Sequence, residues 1–391
     1  MDNGVTKEGI SMEILEQKIK LKNSCELIGK SKDIFSPVKE AITNSLDAIS
    51  QRQKTNETFT PTISVSIYFN SQKKLFDKEE EYLLDRISVE DNGVGFTAAN
   101  LARFKELADN TKGLNNRGTG KIQIFSHFDK ISIDSIFSEG SKWSKLNASW
   151  KITGEYESNL TAATPRTDRK TVVTMSGFSG DDKEEDFFVR YLTSIDELKR
   201  DVLKRFLLRL WLGAQKKQLT LTIRTFLEEN KQGEFIFNHS NIPTPDKEEK
   251  ITVDTEQPRM IYDKKDRKTV KVEWTAIEPK NELIIRRFKL ANTDMDENGV
   301  YMCSKDIVVE SFKFPAVGKN ANFNGYRYLT SISGNLLDNS ANVNQAVDGF
   351  TWVFSKVSGS FSADFISLPV YRSALLTADT PHPSIRSCAA G

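Results

Sequence analysis

The chain has 391 residues, of which 38% are hydrophobic and 28% charged, with a net charge of +1. That composition can fill two or three cores and excludes a disordered chain, and the near-zero charge removes any global argument for nucleic acid, membrane or acidic partners. Three scattered cysteines, Cys25, Cys303 and Cys388, offer neither a disulfide framework nor a metal-ligand spacing.

The opening run MDNGVTKEGISMEILEQ lacks the basic-then-apolar pattern of a signal peptide, and no apolar stretch approaches the ~18 residues of a membrane span. The expectation is a cytoplasmic protein. Residues 8–30 read as a short helix and a polar connection. Ser36-Pro37 reads as a helix start, with Ser36 as N-cap. From there Val38, Ile42, Ser45, Leu46 and Ile49 form a buried stripe at helical spacing, with Glu40, Asn44 and Asp47 roughly opposite.

TISVSIYF (62–69) and DRISVEDNG (85–93) predict strands, the second ending at an Asp-Asn-Gly turn. Residues 96–113 begin as a helix and grade into a polar loop. NNRGTGKIQIFSHF (115–128) predicts a Gly-containing loop and a short helix. Residues 129–137, 142–153 and 170–178 alternate like strands. IDELKRDVLKRFLLRLWLGAQ (195–215) is the longest amphipathic segment and is expected to close a first domain, 1–215. A second α/β domain is expected over 216–372, starting at the strand LTLTIRTF, with 228–270 charged and turn-rich and a short helix over 339–350. An irregular tail is expected over 373–391. Helices backing one face of a sheet make the expected class α+β.

Three short runs carry the chemistry. At ~100° per residue, Glu40, Asn44 and Asp47 share one helix face. A helix-borne Glu can orient and deprotonate a water, and an Asn oxygen suits Mg²⁺, which takes few protein ligands. The same three residues also suit a solvated helix face. Asp91, at a strand end, can accept a hydrogen bond from the exocyclic amine of adenine, with Gly93 and Gly95 allowing close backbone approach; a plain turn fits as well. Arg117-Gly118-Thr119-Gly120-Lys121 can aim backbone N–H groups at phosphates, with Lys112 and Lys121 adding charge, although it lacks the spacing of a Walker loop.

Their order is more specific than any one of them. Glu-x-x-x-Asn-x-x-Asp-Ala, Asp-x-Gly-x-Gly after a strand, Gly-x-Gly before a helix, and a late strand with Thr171 together resemble the GHKL superfamily: DNA gyrase, ninety-kilodalton heat-shock chaperones, histidine kinases and MutL. The likeness spans roughly residues 30–180. It implies a Bergerat-type α/β sandwich binding ATP under a mobile lid, followed by a transducer-like α/β domain. It implies Glu40 as general base, Asn44 as the Mg²⁺ ligand and Asp91 as the adenine-reading carboxylate. Gly93 and Gly95 would shape that pocket, and Thr171 would help Asp91 through water. Gly118, Gly120, Lys112 and Lys121 would lie around the phosphates, and Asp47 would be structural.

The histidines, His127, His239 and His382, all follow Glu40, so the phosphoacceptor arrangement of histidine kinases is missing. In the other branches a basic side chain of the second domain meets the γ-phosphate. Lys319 in VGKNANFNG is the candidate, with Lys305 and Arg327 as alternatives. GTGKIQIFSHFDKISIDSIF and YLTSISGNLLDNSANVNQAVDGF also resemble bacterial GHKL ATP-binding proteins, several linked to defence against phage. The second run has Asn-Gln-Ala-Val-Asp (344–348) where an arginine is usual.

The resulting expectation is a Mg²⁺-dependent ATPase that closes its lid and forms a homodimer on ATP binding, switching a partner protein or output domain. Two alternatives stand beside it. One is a nucleotide- or protein-binding scaffold without turnover. The other is a DNA-processing ATPase like MutL or a topoisomerase subunit, suggested by the basic cluster Lys199, Arg200, Lys204, Arg205 and Arg209. The bland account of that cluster is the solvated face of an amphipathic helix.

Overall fold

The computed structural model describes residues 30–31, 33–55, 57–73, 80–105, 120–165, 168–217, 219–262, 269–312, 318–340, 352–353, 374–375 and 384–386, with only the backbone between 253 and 281. The chain divides into two compact units, Met1–Pro243 with Thr293–Asp296, and Thr244–Asn292 with Glu297–Gly391. The short helix and polar connection expected over 8–30 lie almost wholly outside the described residues.

In the first unit the elements run α1 (Ser36–Gln53), β1 (Thr62–Lys73), β2 (Glu80–Asp91), α2 (Ala98–Lys105), α3 (Gly120–Phe125), β3 (Phe128–Glu139), β4 (Lys142–Lys151), β5 (Tyr156–Ala162), β6 (Lys170–Phe178), α4 (Asp182–Thr193), α5 (Ile195–Lys217), β7 (Thr220–Leu227) and β8 (Asn230–Phe237). The eight strands form one mixed sheet in the order β5-β4-β3-β6-β2-β1-β7-β8. All neighbours are antiparallel except β1 and β7, which run parallel from Thr62 opposite Thr220 to Phe69 opposite Leu227.

Alternation explains the layering. Ile63, Val65, Ile67 and Phe69 of β1 are buried, while Ser64, Ser66 and Tyr68 occupy the other phase. The apolar phase meets a helix layer whose core includes Val38, Ile42, Leu46 and Ile49 of α1 and Val202, Phe206 and Leu210 of α5. α4 starts at a capping box, in which Asp181 accepts from the Glu184 N–H and the Glu184 side chain accepts from the Asp181 N–H. The class is α+β, a large mixed sheet with few helices.

The second unit holds β9 (Pro245–Tyr262), β10 (Thr269–Ala291), β11 (Gly299–Ser304), β12 (Ile307–Phe312), β13 (Tyr326–Ser333), α6 (Asn335–Ser340) and the short pieces β14 (Trp352–Val353), β15 (Ala374–Leu375) and β16 (Ser384–Arg386). Its main sheet is ordered β12-β11-β13-β10-β9-β16, with β11 and β13 parallel.

Three expectations shift. The domain boundary moves from 215/216 to the vicinity of Pro243, because β7 and β8 complete the first sheet. Among the described residues of the charged stretch 228–270 most are strand; in β8 the solvent-facing phase takes the charges. Of the short helix expected over 339–350, only 339–340 are described, and they end α6; 341–350 lie outside the described residues. Within the expected irregular tail, Ser384–Arg386 pairs with β9.

Candidate functional site

α1 brings the first two groups. Pro37 stands in its first turn, and the N-cap is Phe35 rather than Ser36, with no side-chain cap. The Asn44 Nδ2 donates to Glu40 Oε1 at 3.1 Å, one turn back. This bond spends an amide hydrogen and puts the amide oxygen, the atom suited to a hard cation, on the other arm. Glu40 is half-buried and Asn44 exposed. Asp47 does not share their surroundings. It is buried and accepts from Arg209 Nη2 of α5 at 3.3 Å, which fits the structural part expected of it.

Asp91 ends β2 on the buried phase of Ile87 and Val89 and is 5% exposed. Its two oxygens are held separately. Oδ1 accepts from the Gly93 N–H at 2.8 Å, and Oδ2 accepts from Ser45 Oγ of α1 at 2.9 Å. The helix carrying Glu40 and Asn44 therefore also grips Asp91. Burial pushes the Asp91 carboxyl up to about 6, opposed by these two bonds and helped by the Glu90 charge. A carboxylate with one bond per oxygen in a buried place retains acceptor capacity.

The two glycines after Asp91 serve different ends. A Cβ on Gly93 would lie 2.6 Å from Ala48 of α1, and the Val94 N–H donates to Ala48 O at 3.1 Å, so Gly93 seats the turn on the helix. Gly95 alone of the pair has positive φ, +78°, and its Cβ would fall 2.5 Å from Phe137 Cβ. Behind the turn, Arg52 donates to Asn92 O at 2.6 Å and to Glu57 at 3.0 Å, and pairs with Asp168. Asn92 in turn bonds the Thr62 N–H, Thr60 O and Asp168. The turn is thus clamped from β1, α1 and the start of β6.

Thr171 is the direct cross-strand partner of Asp91, so both side chains stand on one face of the sheet. Its Oγ1 lies 2.8 Å from Ser135 Oγ of β3, which also accepts from the Phe96 N–H at 3.3 Å. Neither Ser135 nor the Ser45 contact was expected from the motifs. Both serines could have been found as polar residues in an apolar phase: Ser135 follows Ile131 and Ile133, and Ser45 sits in the Val38–Ile49 stripe.

The remaining expected groups gather less well. Lys112 and Gly118 lie outside the described residues. Gly120 opens α3. Lys121 Nζ sits 5.0 Å from the Trp150 ring centroid and donates to Phe104 O. Lys319 is in the second unit and pairs with Glu297 there, its loop pinned by the Asn298 side chain, which donates to Gly318 O, Lys319 O and Ala321 O. Lys305 is in the β11–β12 turn with positive φ, and Arg327 donates to Ala321 O.

Each member of the basic cluster on α5 has a carboxylate partner: Lys199 with Asp294, Arg200 with Glu197, Lys204 with Asp296, Arg205 with Asp33 and Asp201, and Arg209 with Asp47. These pairs account for the cluster within the fold. Among the described residues, no group of three or more His, Cys, Asp or Glu converges on a metal position, and no helix is long and apolar enough to cross a membrane.

No family model matches the chain, and no curated protein matches it. Among solved structures, the N-terminal domain of a DNA repair protein is similar at 14% identity and a TM-score of 0.41, covering 79% of this chain and 86% of that one. A likeness that distant bears on neither fold family nor function.

Proposed function

We propose that the first unit binds ATP with Mg²⁺ in a GHKL-type site and hydrolyses it slowly. The observation that supports this best is the convergence on Asp91. A buried carboxylate ends a central strand, is gripped by the helix bearing Glu40 and Asn44, and stands opposite Thr171. A plain turn aspartate needs none of these, and burying one costs stability.

The residues suit the nucleotide chemically. Asp91 accepts from an exocyclic amine, Thr171 supplies a hydroxyl on the same face, and Gly95 keeps the turn free of a side chain. Asn44 would hold Mg²⁺ through its amide oxygen, and bound Mg²⁺ supplies neutralisation of phosphate charge. Glu40, steadied by Asn44, orients a water and takes its proton as that water attacks the terminal phosphorus, giving ADP and inorganic phosphate. Nucleotide binding then draws two copies together and hydrolysis releases them, a switch that acts on a partner or output module. ATP drives such a switch only by binding one state better than the other.

Calorimetry of ATP binding to the wild type and Asp91→Asn, with steady-state phosphate release from the wild type and Glu40→Ala, tests this. Loss of binding in the first variant and of turnover in the second is expected. Micromolar ATP binding retained by Asp91→Asn, or equal rates with and without Glu40, overturns it. Mass measurement with a non-hydrolysable ATP analogue tests the pairing of copies, and an unchanged monomer mass rules it out.

A further inference from the structure

The hydroxyl of Ser135 is wholly buried, and among the described residues it has two partners, the Phe96 N–H and Thr171 Oγ1. The Phe96 N–H can only donate, so it fixes Ser135 Oγ as its acceptor. Two arrangements remain for the Ser135–Thr171 bond. If Thr171 donates, the Ser135 proton has no acceptor among the described residues and is stranded in the interior, an arrangement proteins avoid. If Ser135 donates, its own bonding is complete and the Thr171 proton is released for another acceptor. The Thr171 proton then has no acceptor among the described residues either, but Thr171 is 4% exposed against 0% for Ser135, so water or a ligand can reach it and the second arrangement costs less. It orders the chain Phe96 N–H, Ser135, Thr171, all pointing the same way.

Thr171 and Asp91 are direct cross-strand partners on one face, and both are buried. The chain therefore presents a donor, the Thr171 hydroxyl, beside an acceptor, the Asp91 carboxylate. That pair complements an amidine edge, a ring nitrogen next to an exocyclic amine. It opposes a lactam edge, where N–H and C=O are exchanged. We infer that Ser135 is a specificity-determining positioning residue: it fixes the direction of the Thr171 hydroxyl, directly or through one water, so that the site accepts 6-aminopurines over 6-oxopurines. The inference rests on the nucleotide site proposed above. Ser135 acts through Thr171 and touches no ligand itself.

The test is calorimetry on the full chain with ATP, GTP and an ATP analogue carrying carbon in place of ring N1, for wild type, Ser135→Ala, Thr171→Val and the double variant. Wild type is expected to bind the N1-lacking analogue about tenfold more weakly than ATP, the worth of one buried hydrogen bond. Ser135→Ala is expected to narrow the ATP-over-GTP preference by a similar factor, with little change toward the N1-lacking analogue. The double variant is expected to match Thr171→Val alone, because the two residues form one chain. Equal wild-type affinity for ATP and the N1-lacking analogue overturns the inference without requiring any variant to fold. Additive losses in the double variant, or an unchanged ATP/GTP ratio in Ser135→Ala, also overturn it while leaving ATP binding at Asp91 standing. No ATP binding by the wild type, or binding indifferent to Asp91→Asn, overturns both.

Discussion

The two ends of the candidate site are built in opposite ways. Asp91 is buried, with one oxygen held by Ser45 from α1 and the other by the Gly93 N–H, on a turn clamped by Arg52 and Asn92. Glu40 and Asn44 lie near the surface and hold each other at 3.1 Å. The buried end is finished before any ligand arrives, and its cost is visible as a carboxyl pushed up to about 6. The exposed end keeps solvent access, which a water-activating group requires. In the proposed site, recognition would fall at the rigid, buried end and chemistry at the end where water is available.

The largest effect that tests this contrast is at the buried end. Asp91→Asn is expected to weaken ATP binding about 100-fold or more, since an ionised acceptor is replaced beside a donor. The same change should stabilise the fold above pH 6. The folded pKa of Asp91 lies above its ordinary 3.8, so its contribution is fully favourable below 3.8 and is lost as pH rises through 6. The ionised form then costs about 3 kcal/mol at most, from a displacement of about two pH units. Denaturant melts at pH 8 should show the variant ahead of wild type, and melts at pH 4 should show the gap closed. A variant that is less stable at pH 8 would mean the buried carboxylate is structural after all.

At the exposed end, Glu40→Ala is expected to lower phosphate release about 100-fold while ATP affinity changes little. A parallel loss of affinity would erase the distinction between the two ends. Gly95→Ala forces positive φ on a residue with a Cβ and drives that Cβ into Phe137. A loss of about 2–4 kcal/mol in unfolding free energy is expected, larger than for Ala substitutions at exposed turns. The smallest effect is Asp47→Asn. It weakens one part-buried pair with Arg209, costs about 1 kcal/mol, and should leave turnover per folded molecule unchanged.

Much of the first unit was legible because its signals are local. The Val38–Ile49 stripe, the alternation in TISVSIYF and the Asp-Asn-Gly turn each specify their element within a dozen residues. The boundary near Pro243 was not, because the assignment of β7 depends on a parallel pairing with β1 more than 150 residues earlier. Nor was β5, an edge strand exposed along nearly all its length, which has no apolar phase to betray it. Within the candidate site, the placement of Glu40 and Asn44 on one helix, of Asp91 at a strand end and of Thr171 on a late strand was legible from type and order. The split roles of Gly93 and Gly95 were not, since they depend on how closely Ala48 and Phe137 approach. The partners of the basic stripe on α5 were not legible, because charge in sequence carries no record of its partners, and several came from distant segments such as Asp33 and Asp294.

The parallel pairing of β1 with β7 also sets a rule for how the polypeptide is made. β1 leaves the ribosome early, yet its second neighbour follows only after some 150 further residues. Until then β1 offers a bare row of amides and carbonyls to any passing strand. Closure over so long a separation is slow by nature, so a fragment ended at residue 215 should aggregate on expression. One carried through Pro243 completes the sheet.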